Sequence, residues 1–187
     1  MTEIRGTRTE ATDSFFQAFK TDAGVAAEDY AVVAFGDSEA MADELLELVL
    51  LGVKRATAAL ARDFGPGREP LPKVGDHVVL VDGRNKPRCV WRTTSVEVKP
   101  LEAVDDAFAH DEGEGEQSRD WWLAAHRTYF AAQAEREGFA LEEPIETVFE
   151  RFTIVWPRLF ADQAGKSGTD LFSVVAGAGL QTPDGDA

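Results

Sequence analysis

Cysteine is nearly missing from this 187-residue chain: Cys89 stands alone, so no disulfide can close within one molecule. Histidine is scarce as well. One cysteine and three widely spaced histidines cannot assemble a four-ligand zinc cluster, so no metal and no cofactor is expected. No window approaches the ~18 consecutive apolar residues of a membrane span. Residues Met1 to Glu10 are polar and mixed in charge, without the apolar stretch of a secretion signal. These absences predict a reduced, cytoplasmic setting and no membrane partner.

Positive charge is also in short supply, with 19 Lys and Arg against 34 Asp and Glu and a net charge of -15. The distribution is uneven. Residues 54–99 carry ten basic and five acidic side chains, a local +5 set against -20 for the remainder. Such a face could receive one phosphate or a short strand. It would hold long nucleic acid poorly, because that affinity rises with the number of phosphates neutralised.

What is present is enough for one globular domain, since 44% of the residues are apolar. Phe15, Phe16 and Phe19 repeat at helical spacing over 9–21, with Thr12 or Asp13 as candidate caps. Residues 31–35 form a short apolar approach to the next element. Asp37 or Ser38 then opens a helix to residue 51, whose Met41, Leu45, Leu48, Val49 and Leu51 make a wide apolar stripe. Gly52 ends it, and a strand follows over 54–60. The glycines and prolines of 64–72 exclude a helix or a ladder there. Strands at 77–81 and 88–98 form a hairpin, with Cys89, Trp91, Thr93, Ser95 and Glu97 on one face. Weak helical character spans 104–109, and the acidic, glycine-rich run 111–116 reads as a mobile loop without the EF-hand pattern. Ser118 caps a helix over 119–137 that places Trp122, His126 and Phe130 on one side. Residues 147–156 alternate as a closing strand. The expected organisation is an N-terminal extension with a short helix (1–25), a domain over 26–160, and a flexible tail (161–187) with one short docking element at 171–175. No internal repeat is present.

The junction at 50–60 concentrates the polar chemistry. Lys54, Arg55 and Thr57 stand where the apolar helix gives way to a strand, and such a junction can aim side chains into a cleft on rigid supports.

The residues Phe35-Gly36-Asp37-Ser38, Ala42-Asp43-Glu44-Leu45 and Gly52-Val53-Lys54-Arg55-Ala56-Thr57 resemble the ASCH (activating signal cointegrator homology) family. Gly75-Asp76, Glu112-Gly113-Glu114-Gly115 and Trp122-x-x-x-His126-x-x-x-Phe130 extend the resemblance over residues 30–157, and within the family they resemble the bacterial, YhfF-like branch. The resemblance implies an α+β fold: a small mixed or antiparallel PUA-like β-barrel with helices packed outside. It also implies binding of RNA, a nucleotide or a modified nucleoside beside the lysine motif. Some relatives are hydrolases, acting on acylated cytidine-type amides or on RNA. The resemblance then implies Lys54 as base, Thr57 as nucleophile and a glutamate as third member, with Glu112, Glu114 or the strand residue Glu97 as candidates. Residues three apart on a regular strand face opposite ways, so Lys54 and Thr57 converge only if the backbone bends at 53–55. Arg55 offers a phosphate fork, Trp91 and Trp122 offer rings to stack on a base, and His126 offers a hydrogen-bonding edge. A non-catalytic protein-interaction domain is the remaining reading, and oligomeric state is open.

Overall fold

A computed structural model describes residues 6–162. The expectations for a tail beyond residue 162, including the element at 171–175, lie outside the described residues.

Among the described residues, each α-helix begins at a hydroxyl or carboxylate cap. Helix α1 (Glu10–Ala23) starts one turn earlier than the candidate caps suggest. Thr9 is its N-cap and Thr12 closes the capping box, Thr12 Oγ1 accepting from the Thr9 backbone N–H at 2.9 Å. Strand β1 (Ala31–Val33) is the apolar approach identified at 31–35. Helix α2 (Glu39–Leu50) is capped by Ser38. It buries Ala42, Leu46 and Val49, a narrower stripe than the sequence suggests, and leaves Leu51 63% exposed. Gly52 takes φ +84°, and the N–H groups of Val53 and Gly52 donate to the carbonyls of Leu48 and Val49 at 2.9 and 3.1 Å. That paired pattern is a Schellman close, which turns the chain sharply before Lys54.

Strands β2 (Ala56–Leu60), β3 (His77–Val81), β4 (Pro87–Pro100) and β5 (Glu146–Trp156) complete one sheet of order β1-β3-β4-β5-β2. Among the described strands, β1 and β3 pair in parallel and the other neighbours are antiparallel. The sheet curls into a half-barrel, so the expected α+β architecture of barrel and external helices holds. Helices α3 (Asp106–Glu112) and α4 (Arg119–Glu137) lie in the crossover between β4 and β5.

A bulge between Thr93 and Ser95 corrects one expectation. Thr93 pairs with Phe152, whereas Ser95 and Glu97 pair with Arg151 and Phe149 on the other face. Glu97 is consequently separated from Trp91 and Thr93, and its carboxylate accepts from Lys99 Nζ at the surface.

Three apolar clusters follow from the two sheet faces. Helix α2 and Phe35 cover one face, where Phe35, Trp91 and Phe152 stack at centroid separations of 5.8 and 4.4 Å. On the other face, α3 and α4 cover Ala56 and Phe149, and α1 covers Val79, Val81 and Val90. Helix α1 is therefore bolted to the sheet through Phe16 and Phe19. Truncating Phe19, 1% exposed, to Ala should cost about 3–5 kcal/mol in urea unfolding. An unchanged midpoint would mean that α1 adds nothing to the core.

Candidate functional site

The turn at Gly52 places Lys54 two residues before β2, and its side chain runs inward. Its Nζ donates to Glu112 Oε2 and, at 2.6 Å, to Glu114 Oε1. Lys54 and Glu112 each expose only 1% of their side chains, and Glu114 exposes 22%. The Phe35 ring centroid lies 5.1 Å from the ammonium. Backbone contacts brace the arrangement, because the Arg55 N–H donates to Asp111 O at 2.6 Å and the Phe152 N–H donates to Arg55 O at 3.0 Å.

The acidic run is therefore not the mobile loop its composition suggests. Helix α3 extends through Glu112, and Gly113 closes it at φ +71°. A Cβ on Gly113 would stand 2.6 Å from Val53 O, so glycine alone lets this segment close on the Lys54 turn. Local composition reads as loop; a partner 58 residues away in sequence overrides it.

Helix α4 supplies the neighbouring wall. His126 stacks on Trp122 at 3.7 Å between centroids and meets Phe130 edge-on at 5.7 Å. Its Nδ1 lies 3.1 Å from Trp122 O, and its Nε2 lies 3.7 Å from Glu112 Oε1. Burial pushes the His126 imidazole down to about 4, against a smaller upward pull from Glu114. Burial also raises Glu112 to about 7, the Lys54 charge opposing it. Burial alone would lower Lys54, but the charges of Glu112 and Glu114 outweigh it and hold its pKa above the ordinary lysine value. Glu114 is likewise pulled below the carboxylate range by Lys54, although burial acts upward. At neutral pH the set is an ammonium, one firm carboxylate, one carboxyl near its midpoint and a neutral imidazole.

Residues 31–156 match the family model of the ASCH domain. The chain belongs to the ASCH domain family. It is similar to the ASCH domain crystal structure from Lactobacillus crispatus JV V101, at 30% identity and TM-score 0.69 over 80% of this chain and 96% of that one. The protein EF3133 from Enterococcus faecalis V583 is similar at 28% identity and TM-score 0.68, over 78% and 88% of the two chains. No curated protein matches. The ASCH domain is a PUA-like fold often linked to RNA binding.

Within this ASCH domain the sequence candidates separate into two groups. Lys54, Glu112, Glu114, His126 and Trp122 come together. Thr57 does not join Lys54 by a hydrogen bond; it lies in β2 opposite Glu150 of β5. Glu150, 8% exposed, accepts from Thr93 Oγ1 at 2.6 Å and has its pKa raised by burial, with that hydrogen bond opposing. Glu150 escaped the sequence reading. Its strand alternation with Val148 and Phe152 would have marked it as a charge on an apolar face.

Arg55 has its guanidinium engaged. It donates to both carboxylate oxygens of Asp162 at 2.7 Å, and to the carbonyls of Val49 and Lys54 at 2.8 and 2.7 Å. The basic residue that satisfies the C-terminal end of α2 is thus Arg55, and Lys54 is left for the acidic cluster. Trp91 sits inside the Phe35–Phe152 stack at 1% exposure, and Trp122, also 1% exposed, offers its face to His126 instead of to solvent. Cys89 is fully buried and its thiol is pushed up to about 12 by burial, as fits a packing role. The basic segment is partly neutralised in place, through Arg88 with Asp82, Lys99 with Glu97 and Arg55 with Asp162. Among the described residues, no helix is long and apolar enough to cross a membrane, and no group of His, Cys, Asp and Glu could hold a metal ion.

The two shifted groups act oppositely on stability. A base depressed from 6.5 to about 4 contributes stability that is lost as pH falls through that interval. A carboxyl raised from 4.5 to about 7 carries a burial penalty that grows as pH rises through its own interval. In the shared window, 4.5 to 6.5, the contributions oppose each other. Urea unfolding of Glu112→Gln across that window should show stability rising with pH more steeply than in the unsubstituted protein. Identical pH profiles would contradict the assignment of the raised pKa to Glu112.

Proposed function

We propose that this ASCH domain binds RNA, a nucleotide or a modified nucleoside at the Lys54–Glu112–Glu114–His126 cluster. The observation that carries the reading is a lysine with 1% of its side chain exposed, held between two carboxylates of which one is equally buried. Replacing such a set with apolar side chains is commonly neutral or stabilising, so stability alone is a poor reason to keep it. Perturbed ionisable groups concentrate at functional sites. Glu114 and His126, whose side chains are 22% and 12% exposed, are the members that solvent reaches. Two carboxylates around one ammonium repel phosphate, so the cluster addresses the base. The motif order also favours the YhfF-like bacterial branch, and one buried thiol suits a reduced cytoplasm.

A second reading, hydrolysis of an amide or phosphodiester, is favoured by the register of Thr57 with Glu150. Lys54 is held protonated in the cluster and cannot take a proton from Thr57. Glu150, whose raised pKa suits a general base, is better placed for that step, with the Thr57 hydroxyl as nucleophile.

Titration of short RNAs, nucleotides and modified nucleosides at low salt tests the binding reading. Saturable binding should weaken about tenfold or more in Glu114→Gln, a loss of about 1.4 kcal/mol; no binding by any of them at low salt would overturn it. For the second reading, a screen of acylated nucleosides and short RNAs should give turnover that Glu150→Gln and Thr57→Ala abolish. Turnover that survives in Glu150→Gln removes the catalytic assignment.

A further inference from the structure

Glu112 Oε1 is buried and has no hydrogen-bond partner, while the other oxygen of the same carboxylate is held by Lys54. Facing it at 3.7 Å is His126 Nε2. The tautomer of that imidazole is fixed by geometry. Trp122 O is a carbonyl and can only accept, so the Nδ1 that meets it at 3.1 Å carries the ring proton. Nε2 of the neutral ring therefore holds a lone pair. Two acceptors face one another across a gap too wide for a hydrogen bond, and the gap suits one donor group that reaches both. The ring cannot swing away freely, being stacked on Trp122 and set edge-on against Phe130. Lys54 does not fill the role, because its ammonium is directed at Glu112 Oε2 and Glu114 Oε1.

From this facing pair we propose that the site reads a nucleobase through its exocyclic amino group, whose two N–H donors reach Glu112 Oε1 and His126 Nε2. The inference rests on the binding reading above and adds a chemical class to it. The site selects amino-bearing bases and rejects their oxo counterparts. An oxo group would place a third acceptor against the pair and leave all three unsatisfied, an arrangement that costs far more than a missing apolar contact. A neutral imidazole and a carboxylate at its side also disfavour a phosphate in that position. Glu114, reached by solvent and paired with Lys54, marks the side from which the base enters.

The test is calorimetric titration of the full chain at pH 8, where Glu112 is ionised, with matched pairs: CMP against UMP, and AMP against IMP. The amino member of each pair should bind at least about tenfold tighter. Glu112→Gln, whose amide can turn its NH2 toward the ligand, should cancel or invert the preference. His126→Phe keeps an aromatic stack on Trp122 and should reduce the preference as well. Both variants are compared at matched thermal unfolding, and the pairs on the unsubstituted protein decide the matter even if a variant fails to fold. Equal affinities within each pair would mean that solvent alone bridges the two acceptors, and would overturn the inference while leaving binding intact. So would a preference that persists unchanged in both variants. If none of the four nucleotides binds at low salt, the inference falls together with the binding reading.

Discussion

An ammonium group with 1% of its side chain exposed survives inside a protein only when its charge is matched at contact distance, because its desolvation costs several kcal/mol. Lys54 meets that condition through Glu112 and Glu114, and much of the local structure follows from it. The two carboxylates stand 58 and 60 residues further along the chain, so their approach fixes where α3 must end and how the following segment turns. Gly113 permits the approach by admitting the Val53 carbonyl where a Cβ would stand. The Schellman close at Gly52 delivers Lys54 from the other side. Removing one member would strand the others, a loss of about 3–5 kcal/mol for a broken buried pair.

The cluster sits where the layers of the fold meet. Lys54 precedes the edge strand β2, Glu112 ends α3, and His126 lies in α4, so edge strand, short helix and long helix must all be in place before it forms. Phe35, beneath the ammonium, belongs to the Trp91 and Phe152 stack on the opposite sheet face. The family match spans 31–156, yet α1 packs directly on β3 and β4, so this chain braces its ASCH domain from outside the matched region. Fold and site thereby separate: the curled sheet is shared with the solved bacterial relatives, and the proposed chemistry depends on five or six side chains at one edge.

Local signals were legible in the sequence because their causes are local. Caps, glycine stops and the period of the apolar residues place α2, α4, the β3–β4 hairpin and β5 within a few residues. The Trp122, His126 and Phe130 spacing correctly puts three rings on one face of α4. Non-local causes were hidden. Asp111 to Glu116 has the composition of a solvated loop, and nothing nearby announces that Glu112 pairs with Lys54. The bulge at Thr93–Ser95 reverses the facing of Glu97, and no residue type in the strand signals it. Arg55 looked free for phosphate because Asp162, its bidentate partner, lies 107 residues away. The chain turns at Gly52, ahead of the 53–55 bend that the spacing requires, and this turn carries Lys54 toward α3 and leaves Thr57 opposite Glu150, so the Lys-x-x-Thr spacing divides between two polar sets.

Whether Lys54 organises the acidic segment can be measured directly by amide hydrogen exchange in Lys54→Met, which keeps the apolar stem and removes the charge. Gly113, Gln117 and Arg55 donate backbone hydrogen bonds to His110, Glu114 and Asp111 and report on that segment. Their exchange should accelerate by about tenfold or more, while amides of the β3–β4 pairing keep their relative protection. Unchanged protection at these three positions would contradict the account, because the segment would then be ordered without the ion cluster.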